Sequence, residues 1–347
     1  MNKLIFALII ATVITMVTSS PVFASNPVQK MYQSVNNSVV ELHVKAISSP
    51  KLGQVRYKVS TENSLGSGAL ITKKGRILTA AHVVDRATEI EVIFADGSKT
   101  SGHVVWVDSL IDLAMIQAAE VPEKVKPLKL AKAGDYDIGE QVVVIGAPYG
   151  VSHSLSVGYL SGIRDKEKIP GSDIVPRFLQ TDASINQGNS GGPMFNLEGE
   201  IIGIVSHILS SSGGSNGLGF SVSIDTVHDV IESDPGEFFG VVPHLLTEKE
   251  AHALNNSYGY GILVQQVVPN SLGDRLGFQG GYVNVMIGRK PVLLGGDIIL
   301  EIGGRPIKDL AAAIKIKQRL AEYGKGDKVT FKYLRNGEIK QTFWKVD

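Results

Sequence analysis

Short runs of β-branched and apolar residues, separated by turns that contain glycine, fill the chain from about residue 28 to residue 231. Short strands at this spacing are typical of an antiparallel barrel or sandwich. A hairpin is predicted at Asp96-Gly97, because glycine adopts a positive φ without steric cost. The fold class is therefore expected to be mainly β. The clearest predicted strands are 38–47, 68–72, 77–84, 90–94, 141–145 and 203–206.

The last third of the chain has a different pattern. A short helix is predicted at 225–233, with Asp225 as its N-cap. Ser-Asp-Pro-Gly at 233–236 then breaks the chain, since proline disfavours helix in the residue before it, and we place a domain boundary there. Residues 237–347 have room for one small domain with several strands and a helix from about Leu310 to Tyr323.

The first 24 residues have the layout of a secretory signal, with Lys3, an uncharged stretch at 4–17 and small residues before Ala24. As a helix that stretch would span roughly 21 Å, less than the roughly 30 Å hydrocarbon core of a bilayer. We therefore expect cleavage after Ala24 and export, with a retained membrane anchor as the alternative. An exported chain without cysteine suits a bacterial envelope compartment such as the periplasm better than a disulfide-rich extracellular setting.

Composition excludes several classes of function. The chain has 34 basic and 34 acidic residues, so no net charge draws it to nucleic acid. It has no cysteine, which removes disulfides, thiolate metal sites and cysteine nucleophiles. No clustered ligand spacing suggests a metal, and we expect no cofactor. We interpret Lys315, Lys317 and Arg319 as a solvated helix face.

The most specific motif is Gly-Asn-Ser-Gly-Gly-Pro at 188–193. A serine between glycines can expose its hydroxyl while nearby backbone amides converge on one point. Such amides form an oxyanion hole, here predicted at Gly188, Asn189 and Ser190 with the amides of Gly188 and Ser190 as the donors. The structural alternative is an ordinary glycine-rich turn.

A serine nucleophile needs a base and a group that orients the base. His82 ends an apolar run, a place where a histidine taken alone is more often structural. Asp112 lies in apolar sequence, where an unpaired charge would be costly to bury, so a histidine partner would explain it. Asp108 is the competing carboxylate, and we interpret it as a turn residue.

The chain order His82, Asp112, Ser190, within Thr-Ala-Ala-His at 79–82, Asp-Leu-Ala-Met at 112–115 and the segment 180–193, resembles the HtrA/Deg family of trypsin-fold serine proteases. The resemblance implies two six-stranded antiparallel β-barrels followed by one PDZ domain. It also implies that His82 is the general base, that Asp112 orients it and that Ser190 is the nucleophile. The domains expected are a signal peptide at 1–24, a protease domain at 25–236 and a PDZ domain at 237–347.

The same resemblance locates a specificity pocket. A trypsin-like pocket would carry an acid at the position of Ser184, so we expect small or medium aliphatic residues at the cleaved position. Gln187 stands where the family often has proline, which leaves open whether the oxyanion hole is preformed. The resemblance also implies that the segment 46–63 forms the family's regulatory loop. The expected pocket residues are Ser184, Ser206, His207, Ile208 and Phe220.

The segment 258–264 resembles the carboxylate-binding loop and groove strand of a PDZ domain. Its backbone would capture a C-terminal peptide by β-augmentation. An insertion at 279–294, where the family has only a couple of residues, leaves access to this groove open. The expected peptide-binding residues are Tyr260, Gly261, Ile262 and Leu263.

The leading functional hypothesis is an exported, ATP-independent serine endopeptidase that degrades unfolded or damaged envelope proteins through an acyl-enzyme. One alternative is a regulatory protease that makes a defined cut after its PDZ domain binds a peptide. Another is a catalytically silent chaperone or peptide-binding scaffold. The resemblance also implies a homotrimer or larger homo-oligomer, with packing near Met31 and Tyr32. Nucleic acid is not an expected partner, and membrane association is expected only if the N-terminal segment is retained.

Overall fold

The computed structural model describes residues 26–49, 55–56, 58–147, 153–209, 216–233, 238–288 and 290–346. The expected signal peptide at 1–24 lies outside these residues, as do positions 234–237 around the expected domain boundary and part of the 46–63 segment. Within the described residues, no helix combines the length and apolar character needed to cross a bilayer.

The first half of the fold is a closed antiparallel barrel of six strands in the order β1-β2-β3-β6-β5-β4. Alternating apolar side chains fill its interior, including Leu42, Ile77 and Ile116, which are fully buried. The expected turn at Asp96-Gly97 joins β4 to β5, with Gly97 at φ 81°. The strands are β1 (Val39–Ile47), β2 (Thr61–Leu70), β3 (Arg76–Thr79), β4 (Ala87–Ile93), β5 (Lys99–Asp108) and β6 (Leu113–Ala118).

A second ring of six antiparallel strands follows. Its order is β11-β8-β9-β10-β13-β12, and pairing between β11 and β12 closes it. The short β7 (Lys129–Leu130) adds to β12 in parallel. The two rings confirm the predicted mainly β fold with two six-stranded barrels. The strands are β8 (Gln141–Gly146), β9 (Ser154–Asp165), β10 (Arg177–Thr181), β11 (Pro193–Phe195), β12 (Glu200–Ile208) and β13 (Gly219–Ser223).

Two local expectations need correction. The run 77–84 is not one strand: β3 stops at Thr79 and the helical turn α2 (Ala81–Val84) follows, which still buries the apolar side chains of Val83 and Val84. The helix α3 (Ile224–Glu232) is capped by Ser223, whose hydroxyl accepts from the amide of Thr226 at 3.3 Å. Asp225 is instead bonded to the hydroxyl of Tyr136.

The helix α1 (Pro27–Val35) has no counterpart in the sequence prediction. Asn26 caps it by accepting from the amide of Val28 at 3.0 Å. Met31 and Val35 are buried against the second barrel. The Met31 side chain therefore packs within its own chain. The hydroxyl of the half-buried Tyr32 donates to the carbonyl of His153 at 2.9 Å.

The C-terminal part is a five-stranded antiparallel sheet in the order β14-β15-β18-β20-β21, with a short strand β19 paired to β18. The insertion forms the separate hairpin β16–β17, and α6 ends at Leu320, before the predicted Tyr323. The elements are β14 (Val241–Leu245), α4 (Glu248–Ala253), β15 (Ile262–Val267), α5 (Leu272–Arg275), β16 (Val283–Ile287), β17 (Lys290–Leu294), β18 (Ile298–Ile302), β19 (Arg305–Pro306), α6 (Leu310–Leu320), β20 (Lys328–Arg335) and β21 (Glu338–Lys345).

The C-terminal sheet packs directly on the first barrel. The amide of Phe238 donates to the carbonyl of Val105 at 3.0 Å. The side-chain amide of Gln266 donates to the carbonyl of Ser48 at 2.8 Å, and both residues are buried. Because these bonds connect β15 and the segment before β14 to the first barrel, the two parts share an interface at β5 and the end of β1.

Helix α6 adds a further contact to that interface. The ammonium group of Lys317 lies 3.2 Å from the carbonyl of Val107 and 3.5 Å from the carboxylate of Asp108. Lys317 therefore contacts the barrel wall with its ammonium group, while its side chain stays 40% exposed. Lys315 and Arg319 are exposed.

Candidate active site

The imidazole of His82, on α2, is held by the carboxylate of Asp112, in the turn before β6. The ring Nδ1 lies 2.8 Å from Oδ1 and 3.0 Å from Oδ2 of Asp112. The backbone amide of His82 also donates to Oδ1 at 3.0 Å. An ionised carboxylate can only accept, so Nδ1 carries a hydrogen and Nε2 of the neutral ring is left as a base. Asp112 therefore fixes both the position and the tautomer of His82.

The pair also shifts the acidity of both groups. Partial burial lowers the pKa of His82, but the hydrogen bond and charge of Asp112, together with the charge of Asp85, offset this and raise the pKa above 6.5. Burial raises the pKa of Asp112, but the hydrogen bonds and charge of His82 and the hydroxyl of Ser206 outweigh it and lower the pKa below 3.8. Asp112 is thus a stable anion that favours the imidazolium form of His82.

Ser206, on β12, links this pair to the predicted nucleophile. Its hydroxyl donates to Oδ2 of Asp112, and its carbonyl accepts from the hydroxyl of Ser190 at 3.5 Å. In the part of the chain that the structure describes, the hydroxyl of Ser190 is bonded to this carbonyl and not to the His82 ring. Side chains from the two barrels, His82 and Asp112 on one and Ser190 on the other, therefore meet around Ser206.

The turn that carries Ser190, the predicted nucleophile, is held by Ser67 of β2, which the sequence did not predict. The amide of Ser67 donates to the carbonyl of Ser190 at 2.8 Å, and its hydroxyl donates to the carbonyl of Gly188 at 2.7 Å. The same hydroxyl accepts from the amide of Ala147 at 3.0 Å. Ser67 is fully buried, so it fixes the turn from inside the protein. Its only sequence signal is a small polar residue between two glycines, Gly66 and Gly68.

The three residues of the predicted oxyanion hole are not equivalent. The amide of Asn189 donates to the carbonyl of Asn186 at 3.0 Å, so it is already used within the turn. The amides of Gly188 and Ser190 have no acceptor among the described residues. Gly188 has φ 103°, in the left-handed region that favours glycine. Two donors on either side of Asn189 are therefore available to an incoming oxyanion.

The residues of the predicted specificity pocket separate into different environments. The hydroxyl of Ser206 serves Asp112 and is not a free pocket group. Ser184 is exposed, and its carbonyl accepts from the hydroxyl of Ser156 at 2.8 Å. The ring of His207 stacks on that of Phe220, with 5.1 Å between centroids. Ile208 packs against the core of the second barrel.

The predicted peptide-binding strand of the C-terminal sheet, β15, has no open edge. β15 is paired on both sides, with Ile262 opposite Leu245 of β14 and Ile299 of β18. The carbonyl of Gly261 accepts from the amide of Leu246 at 2.9 Å, and that of Tyr260 accepts from the side-chain amide of Asn256. Ile262 and Leu263 therefore offer no open edge for a peptide, and the carbonyls of Tyr260 and Gly261 before them are already used. Within the described sheet, the strand with a free edge on this side is β14.

The insertion lies against β15, and its Pro291 and Leu293 line the same cavity as Pro243 of β14. The side-chain amide of Gln265 donates to the carbonyl of Leu293 at 3.0 Å and its oxygen accepts from the Leu293 amide at 2.7 Å. On its other side, the hairpin contacts the first barrel's loop, where the amide of Asn284 donates to the carbonyl of Val55 at 2.8 Å. The insertion thus connects the sheet to the segment predicted as the regulatory loop.

Comparison with known proteins finds a family model and curated relatives that are both named as proteases. Residues 66–204 match the family model described as a trypsin-like peptidase domain. A protein of Halomonas elongata named probable periplasmic serine endoprotease DegP-like is 34% identical over 281 residues, which are 79% of this chain and 54% of that protein. A protein of the same name from Ectopseudomonas mendocina is 36% identical over 248 residues, 70% of this chain and 51% of its own length. The chain therefore spans about half the length of these curated relatives.

Matches to solved structures cover more of this chain than the matches to these curated relatives do. The HtrA-type protease AlgW with a decapeptide is 26% identical, with a TM-score of 0.51, and the match covers 91% of this chain and 97% of that one. A structure of the same protease named AlgWS227A, also with a decapeptide, has a TM-score of 0.53 at 26% identity, over 92% and 96% of the two chains. These matches include the C-terminal sheet as well as the two barrels.

Proposed function

Because this chain belongs to the HtrA family of trypsin-fold serine proteases, we propose that it is an ATP-independent serine endopeptidase that degrades unfolded proteins in the bacterial periplasm. The observation that carries the proposal is the meeting of His82, Asp112 and Ser190 around Ser206, beside two amides without an acceptor among the described residues. The periplasmic location is supported by the names of the curated relatives and by the secretory pattern of the first 24 residues.

In the proposed reaction, Nε2 of His82 takes the proton of the Ser190 hydroxyl as its oxygen attacks a peptide carbonyl. The carbonyl oxygen becomes an oxyanion that accepts hydrogen bonds from the amides of Gly188 and Ser190. His82 then gives its proton to the leaving amine, and the C–N bond breaks to leave an acyl-enzyme on Ser190. A water, deprotonated by His82, then attacks that ester; the ester C–O bond breaks, His82 returns the proton to the Ser190 oxygen, and the acyl part leaves as a carboxylic acid.

Attack requires the hydroxyl of Ser190 to exchange its bond with the Ser206 carbonyl for one with the His82 ring. We propose that a rotation about the serine's Cα–Cβ bond makes this exchange, because the side chain of Ser190 is only half-buried. We propose that substrate binding, which brings a peptide N–H donor to the Ser206 carbonyl, favours the reactive position.

We further propose that the C-terminal region is a PDZ domain whose peptide site is the edge of β14. A peptide can extend a sheet only where a strand has unpaired backbone groups, and among the described strands β14 has them on this side. Pro243 within β14 fits this position, because proline in a sheet is confined to edges and bulges.

A regulatory version of the function is favoured by one further observation. A cavity of about 330 Å³ lies between β14 and the turn after α2, lined by Pro243 and His244 on one side and by Asp85 and Arg86 on the other. The charge of Asp85 contributes to the raised pKa of His82. A peptide on β14 would therefore lie close to Asp85, whose charge acts on the proposed base.

The test is turnover of a permanently unfolded protein substrate by the wild type and by Ser190→Ala. We expect the substitution to lower kcat by a factor on the order of 10⁶, to the background of a site without its nucleophile. Ser161→Ala, at an exposed serine on β9, is the matched control and retains full activity. Equal turnover by all three proteins would remove the enzyme assignment.

We also propose that the protein forms a homotrimer or a larger homo-oligomer. Light scattering on the same samples measures this oligomeric state.

A further inference from the structure

A second histidine lies beside the proposed triad. His207 follows Ser206 on β12, and its ring stacks on Phe220 with 15° between the planes. The edge of Phe178 contacts the same ring, with 5.6 Å between centroids and an angle of 63°. Two aromatic contacts from two strands fix the orientation of this ring although the residue is exposed. The orientation brings Nδ1 of His207 to 3.0 Å from the hydroxyl oxygen of Ser206.

The direction of the hydrogen bonds follows from the number of protons available. The Ser206 hydroxyl has one hydrogen, and its short contact with Oδ2 of Asp112 requires that hydrogen to lie between the two oxygens, because a carboxylate can only accept. The hydroxyl oxygen can therefore only accept from the neighbouring ring. His207 is thus the tautomer with hydrogen on Nδ1, and it donates to Ser206, which donates to Asp112.

The result is a chain of donors that ends on the carboxylate that orients the proposed base. Asp112 accepts from Nδ1 of His82 on one side and from Ser206 on the other. Donating into the Ser206 oxygen polarises its O–H group, since successive hydrogen bonds strengthen one another. The same bond restricts rotation of the Ser206 hydroxyl, because both of its partners must be satisfied at once.

We propose that His207 is a positioning residue of the catalytic site, which acts through the Ser206 hydroxyl to hold Asp112 and thereby His82 in the reactive geometry. The inference rests on the proposed function and adds to it a residue outside the Ser-His-Asp set. The role requires the donor at Nδ1, whereas a purely structural role requires only the flat ring between Phe178 and Phe220. The two roles can therefore be separated by substitution.

Three groups with charge act on the His207 ring from the surrounding elements: Lys166, Asp112 and His82. Partial burial lowers the pKa of His207 most, and the charge of Lys166 lowers it further; Asp112 raises it by less than these two effects, and His82 lowers it by the least. The ring is therefore neutral when His82 is neutral, and it keeps its single hydrogen at Nδ1. Its contribution is a hydrogen bond and not a second positive charge beside the base.

The test compares three substitutions that separate the flat ring from its two nitrogens: His207→Phe, His207→Asn and His207→Gln. Phenylalanine keeps the stacking and loses both nitrogens. The amide nitrogen of asparagine can take the place of Nδ1, and that of glutamine the place of Nε2. We expect kcat to fall about tenfold in H207F and H207Q, and to return to within about threefold of the wild type in H207N, with KM changed less than about twofold in all three.

A double-substitution cycle with Ser206→Ala supplies the second measurement. Removing the Ser206 hydroxyl breaks the path from His207 to Asp112, so adding H207F to S206A is expected to cause no further loss of kcat. Thermal unfolding of every variant shows whether a loss of rate comes from a loss of fold. Wild-type kcat in a folded H207F protein, or multiplicative losses in the double variant, would overturn the inference. Failure of the wild type itself to turn over substrate would instead overturn the proposed function.

Discussion

Asp112 shows how one residue can determine the geometry of the site. It has φ 66°, a left-handed conformation that is uncommon for residues other than glycine and tolerated by aspartate. In this conformation its carboxylate reaches both the ring and the backbone amide of His82, as well as the hydroxyl of Ser206. The strain of the backbone is therefore located where three donors meet one anion, as is common at functional sites.

The activity is expected to depend on the protonation state of His82. Since the pKa of His82 is raised above 6.5, kcat/KM is expected to fall as the pH drops through this raised value, because the protonated ring cannot act as a base. Asp112→Asn removes the hydrogen bond and charge that raise the pKa, so the acid limb should move to lower pH while kcat falls by about 10⁴. The pH dependence of kcat/KM for both proteins measures this. An acid limb that does not move in the variant would contradict the assigned cause.

The raised pKa of His82 also makes the free energy of unfolding depend on pH. A histidine whose pKa is raised in the folded state stabilises the fold most below its unfolded pKa, and this contribution is lost as the pH rises through the folded value. Denaturant unfolding at a series of pH values should therefore show this contribution in the wild type. His82→Gln should remove it, and an unchanged pH dependence in that variant would contradict the shift.

Ser67 is expected to support both stability and rate, because its hydroxyl donates one hydrogen bond and accepts another. Ser67→Ala leaves the buried Gly188 carbonyl without its donor and the Ala147 amide without its acceptor. Each loss costs about 1 to 3 kcal/mol, so both the unfolding temperature and kcat should fall. The exposed Ser161→Ala is the control. A Ser67→Ala protein with wild-type kcat would show that the turn at 188–190 keeps its conformation without the hydrogen bonds of the Ser67 hydroxyl.

At the scale of the element, the resemblance carried by the motifs correctly predicted the two barrels. The motifs also predict His82, Asp112 and Ser190 as site residues, because each motif is recognisable within a few residues of sequence. They could not identify Ser67 or the use of the Ser206 hydroxyl, since both depend on contacts across more than 90 residues. The prediction for β15 has the same limit. The pattern at 258–264 correctly indicated a strand, but a strand pattern does not show which neighbours pair with it, and here β14 covers its edge.

This difference predicts a hydrogen-exchange result. Adding a peptide with a free, apolar C-terminus should slow exchange of amides in β14, because a bound peptide would cover its open edge. Amides in β15 should be slow with and without the peptide, since both neighbours are already in place. New protection confined to 260–263 would restore the site predicted from the sequence and exclude the β14 edge.

At the scale of the whole molecule, the two parts of the chain share an apolar cluster. Ile47 of the first barrel packs with Val268 and Leu293 of the C-terminal part, and Phe238 lies against them. The insertion contributes Leu293, which is fully buried and held by Gln265. The inserted hairpin therefore acts as a structural connection between the sheet and the first barrel, beside the cavity that contains Asp85 and Arg86.

Leu293→Ala should weaken that connection. Truncating a fully buried leucine costs about 2 to 5 kcal/mol, and here the loss falls on the interface. We expect the wild type to unfold in one thermal transition and the variant to show two, with the C-terminal part melting first. Ile339→Ala, at an exposed position on β21, is the control and leaves one transition. Two transitions in the wild type would show that the parts are independent.

The most direct test of the account is covalent labelling of the intact protein with a fluorophosphonate, which reacts only with a serine made nucleophilic by its surroundings. We predict one label per chain, mapped by mass spectrometry to Ser190, and a rate of labelling that falls steeply in His82→Ala while the fold is kept. Labelling at another serine, or an equal rate in the folded His82→Ala protein, would show that these residues do not form a working site.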